Sequence, residues 1–160
     1  MSEFKAHGTG DVAGDGPALD HVHPETIGPQ NLEDLLRGAG LRPTRQRVTL
    51  ANILYCKGDR HVTAELLHEE ATAAGEQVSL ATVYNTLHQF QTAGLLREIS
   101  IGGQRTYFDT NVSNHNHFFI ESESRLVDIP ASSIQVSGLP EPPEGLRISH
   151  VDVVVRLVKP

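Results

Sequence analysis

The stretch SNHNHFFIESES, residues 113–124, carries two histidines two positions apart, His115 and His117. The apolar residues after them indicate a strand, on which side chains i and i+2 share one face about 7 Å apart. Two imidazoles so placed can chelate a small cation side by side; a polar sheet edge is the alternative. Two ligands hold an ion weakly, so partners are needed. Three residues have no strong competing role: His61 just before a helix cap, Asp109 at a strand end, and Asp128 in the following strand. Each histidine taken singly is more often a surface or capping residue, but jointly the balance shifts towards a site. Mixed imidazole and carboxylate ligands suit Fe(II), Mn(II) or Zn(II). The single cysteine, Cys56, rules out a four-thiolate zinc site and an internal disulfide.

The elements that must position these residues change character along the chain. Residues 1–30, rich in Gly, Asp, Pro and His, lack periodicity and are expected to form a disordered tail. Its His7, His21 and His23 are expected to bind metal only adventitiously. From Asn31 the pattern is helical. NLEDLLRGAG offers Asn31 as N-cap with Leu32, Leu35 and Leu36 as its stripe. Thr44 precedes Val48, Ala51, Leu54 and Tyr55; Thr63 precedes Leu66, Leu67, Ala71 and Ala74 and ends at Gly75. Ser79 precedes Leu80, Val83, Leu87 and Phe90 and ends at Gly94. The period then switches to two around Gly102–Gly103, a hairpin signal. Helices followed by a hairpin have the order of a winged helix-turn-helix. HFFI, RLVDI and LRISHVDVVVRLV are three candidate strands, separated by a short irregular or helical piece near ASSIQV and a Pro-rich link. The apolar run Val151–Val158 predicts a strand covered on both faces, most simply at a dimer interface. The expected fold is α+β. Residues 31–108 form an N-terminal winged helix-turn-helix, and residues 109–160 a small α/β dimerisation and metal-sensing domain.

The net charge of −7 conceals a local patch: Arg37, Arg42, Arg45, Arg47, Lys57 and Arg60 face only Asp59 across that segment. Screening confines each charge to roughly 8–10 Å, so such a patch attracts phosphate despite the total. A solvated helix face is the plain alternative. In SLATVYNTLHQF the apolar spacing leaves Ala81, Thr82, Asn85, His88 and Gln89 outward. Amide and methyl groups near a helix start suit major-groove reading. Tyr84 could pack on the domain or stack on a thymine. Arg97 and Arg105 flank the hairpin. The chain contains no run of eighteen apolar residues and no signal-peptide start, so a cytoplasmic protein without a membrane span is expected.

From about Leu35 to Leu157 the chain resembles the ferric uptake regulator family. GLRPTRQR, HVTAELL, LATVYNTLHQFQTAGLL, GGQRTYFD and HNHF occur in the family's order and nearly its spacing. VYNTL, the histidine motif and the absent cysteines look most like the iron response regulator subgroup. The resemblance implies a homodimeric repressor of iron homeostasis that binds double-stranded promoter DNA through the helix Ser79–Thr92. Tyr84 matches a base-contacting tyrosine and Arg42 a residue reaching the minor groove. Asn85 replaces the usual arginine, so the operator should differ from the common box. Arg45, Arg47, Ser79, Thr82 and Arg105 complete the expected DNA contacts. The family's cysteine-bound zinc site has no counterpart, its first positions being Ile120 and Glu123. A second site would fall at Asn114, Asn116, Gln135 and His150, where only His150 remains a strong ligand. The sensor site would use His61, Asp109, His115, His117 and Asp128, all competent ligands.

Two consequences follow as expectations. A divalent ion joining ligands from both halves would fix the hinge and so the spacing of two recognition helices. The subgroup resemblance further implies haem, through His115 or His117, in competition with the ion and releasing DNA. Residues i and i+2 cannot flank one porphyrin iron without local unfolding. Cys56, after Tyr55 at a helix end, is expected to be a small buried or half-buried residue, with a redox or haem-thiolate role as the alternative. Other classes stay open: a metal-dependent enzyme built on His-Asn-His, though no general base accompanies it, and a winged-helix interaction module that does not bind DNA.

Overall fold

The computed structural model describes residues 29–102 and 105–160. The tail expected over residues 1–30, including His7, His21 and His23, lies almost wholly outside the described residues, as does Gly103 of the hairpin turn. Four helices come first: α1 (Pro29–Gly38), α2 (Arg45–Tyr55), α3 (Ala64–Ala73) and α4 (Leu80–Thr92). Local chemistry sets most of their ends. Thr44, Thr63 and Ser79 hydroxyls accept the backbone N–H groups of Arg47, Leu66 and Thr82 at 3.3, 3.2 and 3.1 Å. At the other end, Gly75 and Gly94 adopt φ of 81° and 76°. The amides of Glu76 and Leu95 then reach back to the carbonyls of Ala71 and Phe90, each at 2.9 Å, closing α3 and α4. Asn31 does not cap α1, which already runs from Pro29, a residue type suited to a first helical turn.

The helices bury Leu32, Leu36, Leu50, Leu54, Leu67, Val83, Leu87 and Phe90 in one core. Three expected core positions are exposed: Leu66, Ala74 and Leu80. Leu66 is one residue, about 100° of helix, off the stripe Ala64–Leu67–Ala71, while Ala74 and Leu80 lie at helix ends beyond the packed turns.

The strands form two three-stranded sheets. In the first, β1 (His61–Val62), β3 (Arg105–Asp109) and β2 (Arg97–Ile101) lie side by side in that order, all antiparallel. This is the wing. In the second, β4 (His115–Ile120) is central, with β5 (Arg125–Pro130) antiparallel on one side and β6 (Val154–Leu157) parallel on the other. The predicted strand over residues 146–158 shrinks to these four residues, because the chain before them has no neighbouring strand beyond one bond from His117 N–H to the Val153 carbonyl. Nor do the described residues cover it on both faces: Val154 and Val155 are half-buried, and Leu157 and Val158 are exposed. Near ASSIQV the irregular piece is a 3₁₀ turn, Ala131–Ser133.

Strand alternation joins the two sheets. Phe108 points into the helical core, while its neighbour Tyr107 packs with Ile99, Ile101 and Leu126 in a second apolar cluster. The Tyr107 hydroxyl donates to the Ser124 carbonyl at 2.8 Å. Asp109, two residues on from Tyr107, faces the same way. That orientation aims a carboxylate from the wing at the second sheet.

Candidate metal centre

Register places the ligand-type residues in pairs. His61 lies opposite Asp109 across β1 and β3, and His117 opposite Asp128 across β4 and β5. His115 shares the face of His117, and their ring centroids are 4.5 Å apart. His61 meets His117 edge-on at 5.1 Å. One ligand atom from each of His61, Asp109, His115, His117 and Asp128 falls within 4.8 Å of all the others. Asp109 Oδ2 lies 3.4, 2.9 and 3.2 Å from Nε2 of His61, His115 and His117; Asp128 Oδ1 lies 2.9, 3.5 and 3.8 Å from the same atoms. Asp109, His115 and His117 are buried, whereas Asp128 forms an exposed lip.

The surroundings fix which atoms face inward. The Asn111 amide donates to Asp109 Oδ1 at 2.8 Å, leaving Oδ2 for the centre. The Ser113 carbonyl lies 2.8 Å from His115 Nδ1 and can only accept, so Nδ1 carries the proton and Nε2 presents a lone pair. That lone pair meets carboxylate oxygen at 2.9 Å, a contact favourable only with a proton or cation between. His61 Nε2 is buried and, among the described residues, makes no properly angled hydrogen bond, although Asp128 Oδ1 is close. Burial opposes ionisation of Asp109. The hydrogen bond from His117, the adjacent His61 imidazole and the Asn111 amide outweigh that cost and hold its carboxyl well below the usual range. A donor set of three imidazoles and two carboxylates fits a borderline divalent cation.

The other predicted positions lie outside this cluster. Asn114, Asn116 and His150 border a cleft of about 790 Å³. Asn116 is buried, Asn114, Gln135 and His150 are exposed, and His150 engages Ser149 and Asp152 at 2.9 and 3.0 Å. Cys56 is exposed, contrary to expectation, because α2 ends with its side chain pointing away from the core. Asn111 and Ser113, absent from the expected site, orient Asp109 and His115. The polar run Thr110–Asn114 signals a turn of this kind: the Asn111 side chain accepts the Ser113 amide at 3.1 Å.

On α4, Ala81, Asn85, His88 and Gln89 are exposed as expected, whereas Thr82 is half-buried, its hydroxyl 2.9 Å from that of Ser79. Tyr84 packs against the domain, half-buried, and its hydroxyl donates to Glu65 at 2.6 Å. That bond raises the phenol's pKa and lowers the carboxyl's. Arg42, Arg45 and Arg105 are exposed. Arg47 instead spans the Gln89 side chain, at 2.9 and 3.1 Å, and the Arg42 carbonyl at 2.7 Å, tying α2 to α4.

A winged helix joined to a second sheet by a cluster of imidazoles and carboxylates that could hold a cation defines the architecture. The sequence model of the ferric uptake regulator family matches residues 38–155, and the chain belongs to that family. It is 32% identical over 111 residues to the peroxide-responsive repressor PerR of Staphylococcus epidermidis, covering 69% of each chain. Its identity to the repressor of the same name from Staphylococcus aureus strain Mu50 is 33% over 93 residues, 58% of this chain and 62% of the relative. The chain therefore spans about two thirds of these relatives' length. Among solved structures, the ferric uptake regulator of Pseudomonas aeruginosa with manganese matches with a TM-score of 0.63 and 27% identity over 80% of this chain and 97% of that one. The Vibrio cholerae ferric uptake regulator shares the fold, with a TM-score of 0.61 and 21% identity over 78% and 96%. The family consists of metal-responsive, dimeric, DNA-binding transcription regulators and not of enzymes, which sets aside the hydrolytic reading of His-Asn-His. Among the described residues no helix is long and apolar enough to cross a membrane.

Proposed function

We propose that this chain is a metal-dependent repressor in which His61, Asp109, His115, His117 and Asp128 hold one divalent cation that sets the geometry of a DNA-bound dimer. The convergence of these five ligand atoms within 4.8 Å carries the reading. A divalent cation supplies a fixed positive charge that can be shared by carboxylates and imidazoles. His61 and Asp109 belong to the wing and β1, His115, His117 and Asp128 to the second sheet. Holding all five in register therefore holds the reading helix α4 at a set angle to the second sheet. On this reading residues 31–108 are the DNA-binding domain and 109–160 the dimerisation and sensing domain. The exposed Leu139, Leu146, Ile148 and Val158 support a partner copy on the second half. Arg42, Arg45, Asn85 and Arg105 would meet DNA directly. Ser79, Thr82, Tyr84 and Arg47, each engaged within the chain, would act from those positions or after releasing their partners. Operator affinity, measured on a labelled promoter pool with and without Mn(II) in wild type and His117→Ala, tests the reading. The expected outcome is metal-dependent binding in wild type alone; equal affinities in all four cases remove it.

The finer regulatory identity divides two ways. The names of the curated relatives support a peroxide-responsive repressor. VYNTL, the histidine motif and the lack of paired cysteines support an iron response regulator that also takes haem through His115 or His117. Those are the same buried nitrogens that face the carboxylates, so haem would compete with the ion and require the site to open. Titrating haem into Mn(II)-loaded protein tests the haem reading: unchanged Mn(II) affinity argues against shared ligands.

A further inference from the structure

Arg97 lies outside the ligand cluster, on the wing strand β2, opposite Asp109 in the β2–β3 register. Its side chain is largely buried and reaches across to the second half of the chain. Nη1 donates to the Ser113 carbonyl at 2.7 Å, the same oxygen that accepts the His115 Nδ1 proton at 2.8 Å. Nη2 pairs with Asp152, in the segment leading into β6, and Asp152 in turn holds His150 at 3.0 Å. One guanidinium therefore joins three pieces: the wing, the loop that aims a ligand, and the approach to the outer strand.

A carbonyl oxygen has two lone pairs, and here each has a donor. With both engaged, the Ser113 peptide cannot rotate without breaking a charge-assisted bond, and His115 Nε2 keeps its direction towards Asp109. The planar fork of arginine meets the carbonyl and the carboxylate together, whereas an ammonium presents a point charge and cannot serve both in the same geometry. Partners one layer outside a metal's ligands fix ring orientation in this way, and losing one typically costs about 10–100-fold in metal affinity.

We propose that Arg97 is a positioning residue for the cation site, holding the Ser113 carbonyl that aims His115. This rests on the metal reading above and deepens it. The probe is Co(II), whose visible absorption reports ligand number and geometry, titrated into full-length wild type, Arg97→Gln, Arg97→Lys and Asp152→Asn, with thermal unfolding of each metal-free protein alongside. Arg97→Gln is expected to weaken Co(II) binding by about tenfold or more and to alter the absorption bands. Arg97→Lys, which keeps the charge and so guards against simple misfolding, is expected to alter the bands as well. Asp152→Asn keeps the Ser113 contact and is expected to retain the wild-type spectrum. Wild-type Co(II) affinity and spectrum in both Arg97 variants, with only a lowered melting temperature, would make Arg97 purely structural and overturn the proposal. Failure of wild type to bind Co(II) at all would overturn the underlying cation reading instead.

Discussion

His61 Nε2 and Asp128 Oδ1 stand 2.9 Å apart, although one belongs to the smallest strand of the wing and the other to β5, an edge strand of the second sheet. This approach closes the site across the joint. His61→Ala removes the wing's imidazole while leaving the ligands of β4 and β5 in place. It is expected to weaken Mn(II) binding by at least about tenfold, or about 1.4 kcal/mol, and to abolish the metal dependence of operator binding. Calorimetric titration and a gel-shift series would show both; wild-type affinity in this variant would remove His61 from the ligand set.

Binding to the folded state alone must stabilise it. With free Mn(II) at about 100 times its dissociation constant, linkage gives a gain of about 2.7 kcal/mol. Thermal melts of wild type should therefore shift upward with Mn(II), and those of His117→Ala should not. A matching shift in the variant would place the ion elsewhere.

Asp109 contributes to stability in a definite pH window. Its folded-state pKa is depressed below the ordinary 3.8 by the His117 hydrogen bond, the adjacent His61 imidazole and the Asn111 amide, despite burial. The contribution is thus fully present above 3.8 and drains away as the pH falls from there through the folded value. In metal-free protein, denaturant unfolding should show Asp109→Asn less stable than wild type near neutrality, with the gap narrowing below 3.8. A gap independent of pH would mean that packing, not charge, sets the difference.

Thr110 pins β1 beside β3. Its hydroxyl oxygen accepts the Arg60 amide at 2.8 Å and its own amide donates to the Arg60 carbonyl at 3.1 Å. Thr110→Val keeps the shape and loses the first bond, leaving a partly buried N–H without its acceptor. A cost of about 1–3 kcal/mol is expected, together with faster amide exchange at His61 and Val62. Unchanged exchange would show that Thr110 does not hold the strand.

Asn85 and Arg105 should fail differently as DNA contacts. Asn85→Ala is expected to cost about 1–3 kcal/mol at one base position and to relax specificity there. Arg105→Ala should weaken all sequences alike and reduce the salt slope by about one. Footprinting against a randomised operator pool distinguishes the two patterns; sequence-uniform loss for Asn85→Ala would move that residue off the bases.

Much of this architecture was legible in the chain because it is local. Thr44, Thr63 and Ser79 cap helices through bonds to residues three positions away, and Gly75 and Gly94 end them through backbone φ alone. The shared face of His115 and His117 follows from strand geometry, and the exclusion of a thiolate site from cysteine number. Other features depended on partners distant in sequence. A two-residue strand such as β1 has no periodicity, so only its pairing with β3 reveals it. Leu66 and Leu80 looked apolar enough for the core, but the width of the buried stripe depends on what packs against it. Tyr84 turns towards Glu65 on another helix and Arg47 reaches Gln89, contacts that no local pattern in the sequence shows. The shortening of β6 reflects where β4 offers a neighbour. Ligand type is a property of side chains and is written in the sequence; their convergence depends on the register of two sheets and on contacts such as Arg97 to Ser113, which exist only once those sheets have packed.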